Sequence, residues 1–121
     1  MDMANKKDVL QLIQQNISFI LVGTTHPGNI GAAARAMKNM GIKQMGLVSP
    51  KSFPHEKAFF RAKAATDVLE KAVVYKSLSK AVSEIKLVIG TSARNRKVPW
   101  PIVSPRAVSY THLTLPTTPY V

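Results

Sequence analysis

Apolar residues in this chain fall into short blocks, and the spacing within the blocks changes along it. Residues 1–16 are polar apart from Val9, Leu10, Leu12 and Ile13, which predicts a short, poorly anchored helix. Residues 17–22 (ISFILV) form a continuous apolar run closed by Gly23, the pattern of a buried strand. TTHPG at 24–28 predicts a turn, with Asn29 as N-cap of the next helix. In that helix Ile30, Ala33, Ala34 and Met37 recur at i, i+3, i+4 and i+7, marking a buried face, and Gly41 ends it. MGLV at 45–48 predicts a second strand. Ala58, Ala62, Ala65, Leu69 and Ala72 then step by three and four, predicting one helix over about 57–72. Residues 73–76 predict a third strand. Ser77 caps a short helix with Leu78, Ala81, Val82 and Ile85 on its apolar face, and KLVIG at 86–90 predicts a fourth strand.

Strands that alternate with helices through short connections imply right-handed βαβ units and a parallel sheet with flanking helices, an α/β fold. Ligands of such sheets lie beyond the carboxyl ends of the strands. Here those ends are the 23–29 and 90–101 loops. No internal repeat is present.

Seventeen Lys and Arg against six Asp and Glu leave a net +11 on 121 residues, which points to a polyanionic partner, nucleic acid before an anionic membrane surface. Surplus charge also serves solubility alone. The absence of cysteine excludes disulfides and thiolate metal sites and suits a reducing cytoplasm. No apolar run approaches the roughly 20 residues that span a bilayer, and the N-terminus lacks the pattern of a secretory signal.

The last fourteen residues, VSYTHLTLPTTPYV, differ from the rest. They hold no charged residue, against 23 in residues 1–107, and four Thr, as many as all preceding residues together. VSYTHLTLPT back-translates into a sequence resembling a widely used transposase sequencing adapter. The expected organisation is an N-terminal extension at 1–16, a domain at 17–107 and a non-native tail at 108–121.

Two stretches carry candidate chemistry. In NIGAAARAMKNMG (29–41) Arg35 falls roughly opposite the apolar face, either as a solvated helix arginine or aimed at an anion. In GTSARNRKVPWP (90–101) Arg94, Arg96 and Lys97 follow a strand end beside Thr91, Ser92 and the single Trp100, which suits a phosphate backbone and a stacked base. A charged loop packed through Pro-Trp-Pro is the plainer alternative. GTTHPGNIG lacks the GxGxxG spacing of a dinucleotide site. His26, His55 and His112 have no partners at ligand spacing, so no metal site is expected, and the acids lie away from both loops.

Together these stretches resemble the SpoU (TrmH-like) RNA 2′-O-ribose methyltransferases of the SPOUT class, over about residues 16–106. They are most similar to members that act on nucleotide 32 of the tRNA anticodon loop. The resemblance implies methyl transfer from S-adenosylmethionine to a ribose 2′-hydroxyl of cytidine or uridine by a homodimer. Arg35 and Asn29 match the catalytic motif positions, and Thr91, Ser92 and Ala93 match positions lining part of the donor site. Lys38, Arg94, Arg96 and Lys97 would meet tRNA phosphates. A guanidinium stays protonated at ordinary pH. Arg35 is therefore better suited to holding a phosphate and stabilising a developing alkoxide than to acting as a base.

The family continues beyond the PWP segment with a GxExxGL strand and an SLN helix that thread a trefoil knot and supply most of the donor pocket. Residues 102–121 carry neither motif. This 121-residue chain is therefore expected not to bind the donor appreciably and to expose a sheet edge and apolar surface. The alternatives are a ribosomal-RNA methyltransferase of the same class and a non-catalytic basic RNA-binding module.

Overall fold

The computed structural model of the chain describes residues 3–92. Met1–Ala81 forms one compact unit and Val82–Val121 a second. In the first, β1 (Ser18–Val22), β2 (Gln44–Val48) and β3 (Val73–Tyr75) make a parallel sheet in the order β1-β2-β3. Ser18 pairs with Gln44 and Val22 with Val48 across one ladder, and Gly46 with Val73 and Val48 with Tyr75 across the other. The α/β class and the parallel pairing follow the predicted alternation.

Helix α1 (Met3–Asn16) precedes the sheet, and α2 (Pro27–Asn39) joins β1 to β2. Helices α3 (Glu56–Ala62) and α4 (Thr66–Glu70) lie between β2 and β3, and α5 (Leu78–Ala81) follows β3. Helix α1 is not short, at 14 residues, but it leaves Val9, Leu10 and Leu12 exposed, as its weak apolar pattern predicts. Its C-terminal end is nevertheless tied down. Gln44 Nε2 donates to the Gln14 and Gln15 carbonyls, each at 2.9 Å, and Gln44 Oε1 accepts from Ser18 Oγ at 2.8 Å.

The core lies between the sheet and α2, α3 and α4. Ile30, Ala34 and Met37 of α2 meet Met45 and Leu47 of β2, with Ala58, Ala62, Ala65, Val68 and Leu69 from the following helices. Small residues predominate where helices cross, which brings backbones close. A Cβ added to Gly31 would run into the carbonyl oxygen of Ala58 and lie 2.9 Å from Arg61 Cβ. Only glycine fits there, and that fixes how α3 crosses α2.

The single helix predicted over 57–72 is broken. Lys63 has φ +54°, and a 3-10 turn at Lys63–Ala65 separates α3 from α4. The alanine stripe is buried on both sides of the break, because the turn redirects Ala65, Val68 and Leu69 onto the same core. Lys38 Nζ reaches across from α2 to the Ala64 carbonyl in the turn at 2.9 Å and to Asp67 Oδ1 at 3.0 Å.

Three further expectations need correction. Asn29 is not the N-cap of α2: the helix starts at Pro27, with His26 in the cap position. Proline fits the first helical position because its fixed φ suits the helix and its missing N–H has no partner there anyway. The helix expected to run through Val82 and Ile85 stops at Ala81, although Ser77 Oγ does cap it, accepting from Lys80 N at 3.3 Å. The fourth strand is absent. Among the described residues of 86–90 only Ile89 forms a bridge, and an apolar run becomes a strand only where its backbone groups find ladder partners.

Candidate functional site

The carboxyl ends of the three strands are stitched together by backbone hydrogen bonds. Gly23 leaves β1 with φ +62°, a left-handed turn that glycine takes without strain, and its N–H donates to the Val48 carbonyl at 2.8 Å. Lys51 N donates to Thr24 O, and Ser49 N to Tyr75 O, both at 3.0 Å. Ser49 Oγ adds a bond to the Lys76 carbonyl at 3.2 Å. These bonds hold the 23–26 loop, and with it the start of α2, at the sheet end where ligands of parallel sheets bind.

Helix α2 presents the predicted motif from this edge. Asn29 stands in its first turn, exposed, with its N–H donating to the His26 carbonyl at 3.0 Å. The His26 side chain makes no cap bond. The positive end of the helix dipole is therefore available to an anion. Arg35 is exposed and, among the described residues, has no hydrogen bond or ion pair.

Helical spacing places Gly28, Gly31, Arg35 and Lys38 along one row. Gly31 meets α3 and Lys38 meets the turn before α4. Arg35 therefore shares a row with two packed positions while itself remaining exposed. The ammonium of Lys38, expected on RNA, bonds Ala64 and Asp67 within the chain. That hydrogen bond holds the Asp67 carboxyl below its ordinary range.

Beside the motif lies a groove of about 460 Å³ between the start of α2 and α3, lined by His26, Asn29, Lys57, Phe60 and Arg61 among others. The last three were not singled out in the sequence. Their signal was available: the Ala58/Ala62 stripe faces inward, which turns Phe60 and Arg61 outward. His55, one of the scattered histidines, caps α3 by accepting from Lys57 N at 3.0 Å.

Thr91 and Ser92 belong to the second unit, and both are exposed. Ala93, Arg94, Arg96 and Lys97, like the 108–121 tail, lie outside the described residues. Among the described residues no group of three His, Cys, Asp or Glu could hold a metal ion, and no helix is long and apolar enough to cross a membrane.

Residues 16–110 match the model of the SpoU rRNA Methylase family. The chain is 55% identical over 97 residues to a tRNA (cytidine/uridine/adenosine-2′-O-)-methyltransferase TrmJ of Pseudomonas aeruginosa, covering 80% of this chain and 38% of the relative. To the tRNA (cytidine/uridine-2′-O-)-methyltransferase TrmJ of Escherichia coli it is 47% identical over 92 residues, covering 76% and 37%. The crystal structure of TrmJ from Z. mobilis superposes with a TM-score of 0.72 at 35% identity, over 76% of this chain and 42% of that one. The chain thus spans under two fifths of the length of these curated relatives.

Proposed function

Because the chain belongs to the SpoU rRNA methylase family, we propose that the protein it comes from is a tRNA 2′-O-ribose methyltransferase. On this reading it acts in the cytoplasm, as a homodimer, on the cytidine or uridine at nucleotide 32 of the anticodon loop. The observation that carries the reading is the placement of Asn29 and Arg35. Both are exposed on α2, the helix that leaves the carboxyl end of β1, with Asn29 in its first turn and Arg35 further along the same helix, inside a segment 55% identical to a tRNA 2′-O-methyltransferase.

The chemistry assigned to Arg35 is electrostatic. Its guanidinium has no partner among the described residues, so it can take a phosphate oxygen without first breaking an internal ion pair. Held beside the reacting ribose, it stabilises the 2′-oxygen as its proton leaves to phosphate or water. Asn29 orients the nucleotide from the first turn of the same helix. Lys38 contributes by fixing α2 against α4, and it can meet the RNA backbone only in competition with Asp67.

S-adenosylmethionine supplies the methyl group in this reading. A ligand of that size has most of its surface buried when bound. Thr91 and Ser92 are both exposed, so the described donor-site positions do not by themselves fit it.

The test is incubation of the gene product carrying the segments that follow in the relatives with tritiated S-adenosylmethionine and unmodified tRNA. Label in the ribose of nucleotide 32 is expected. Label in ribosomal RNA with none in tRNA would move the substrate assignment to the other branch of the family.

A further inference from the structure

Arg61 stands in an unusual electrostatic position. A Cβ placed on Gly28 would lie 3.6 Å from Arg61 Cγ, 3.7 Å from Nε and 3.8 Å from Cζ, so the guanidinium lies across the first turn of α2. That turn is the positive end of the helix. Among the described residues Arg61 has neither a carboxylate partner nor a hydrogen bond. Lys57, one turn earlier on α3, lines the same groove, and no acid does. Two side-chain cations and a helix N-terminus converge with nothing negative among them, which leaves a local field that an anion would relieve.

Phe60 adds a second, independent feature. It is 72% exposed, more than any other large apolar side chain described. Lys63 Nζ sits 4.4 Å from its ring centroid. A flat aromatic surface lining the same groove as two cations is the pairing that single-stranded nucleic acid recognises, with backbone on the cations and base on the ring.

We infer that the groove between the first turn of α2 and α3 is a nucleotide subsite for single-stranded RNA. A phosphate is held by the start of α2 with Arg61 and Lys57, and the adjoining base stacks on Phe60. The inference rests on the RNA-modifying reading and adds to it a contact surface separate from Arg35. Arg35 lies further along the same helix, and α3 covers the row between them at Gly31. The nucleotide held by the subsite is therefore one other than the nucleotide to be modified.

The experiment is fluorescence anisotropy with the 121-residue chain and a labelled, single-stranded oligouridylate, repeated over a salt series. Thermal melting confirms that each variant is folded. Phe60→Ala should weaken binding by roughly tenfold without changing the slope of log affinity against log salt, and Phe60→Tyr should restore it. Arg61→Gln should weaken binding and reduce that slope by about 0.7, as expected for one phosphate contact on a single strand. Lys7→Gln removes the same charge from α1 and should change affinity less than Arg61→Gln does.

If the parent chain binds RNA and Phe60→Ala and Arg61→Gln bind equally well, the subsite is wrong while the RNA-binding reading stands. If the parent chain does not bind at low salt, the subsite is overturned, while the methyltransferase reading is decided separately by the tritium assay on the longer gene product. A change in oligomeric state by light scattering on Phe60→Ala, with RNA affinity unchanged, would assign the ring to a protein interface and overturn the proposal.

Discussion

A methyl group at position 31 would set two effects against each other. Alanine favours a helix interior over glycine by about 1 kcal/mol, so on propensity alone Gly31→Ala should stabilise α2. The Ala58 carbonyl and Arg61 Cβ stand where the methyl would go, and forcing α3 away costs about 1–3 kcal/mol or more. Packing wins, and Gly31→Ala should lower the urea midpoint. An unchanged or raised midpoint would show that α3 is not held against α2 at this point. Arg35 is governed differently: exposed and without an internal partner, it does little for stability. Arg35→Ala should melt within a degree or two of the parent, because exposed substitutions away from packing features typically cost under about 0.5 kcal/mol. A large drop in melting temperature would mean that the arginine is a packing residue, and its functional assignment would weaken.

At the scale of elements, the joint between α3 and α4 depends on Lys38. Its ammonium spans the 3-10 turn from Ala64 to Asp67, and Asp67 titrates below its ordinary range because of that bond. The folded pKa is therefore lower than the unfolded one. The pair's contribution is present above the unfolded carboxylate range and lost as pH falls through the folded value. Stability of the parent chain should fall on acidification through about pH 4 and below, and Asp67→Asn should remove part of that fall. Urea midpoints across the acid range would check it, and identical acid limbs would contradict the tether. The turn itself was not legible in the sequence. The stripe from Ala58 to Leu69 is as regular as an unbroken helix requires, and the positive φ of Lys63 reflects where α2 and the sheet force the chain to turn. The strands β1 and β2 and the buried face of α2 were legible, since short apolar runs and a 3.6-residue period survive in any packing context. The true start of α2 was hidden by Asn29, a better cap by residue type than His26, because Pro27 settles the matter one position later. The outward setting of Phe60 and Arg61 was legible from the Ala58/Ala62 stripe, but their place beside the first turn of α2 was not, because only the fold brings α3 there.

At the scale of the molecule, charge and exposed surface dominate. A net +11 with only six acidic residues, one of them already paired to Lys38, leaves most cations available to a polyanion. Binding to tRNA should therefore weaken steeply with salt, and an affinity independent of salt would contradict electrostatic recognition. Phe19 and Val22 of β1 and Val73 and Val74 of β3 are partly to largely exposed on the two edge strands, as the expectation of uncovered apolar surface anticipated. Catalysis on this basic surface depends on one residue of α2. The deciding measurement is single-turnover methyl transfer to unmodified tRNA, comparing the parent gene product with Arg35→Ala and measuring tRNA and S-adenosylmethionine affinity in parallel. Methyl transfer by Arg35→Ala should be slower by about a hundredfold or more, with donor affinity nearly unchanged. Methyl transfer to nucleotide 32 at the parent rate by Arg35→Ala would contradict that dependence.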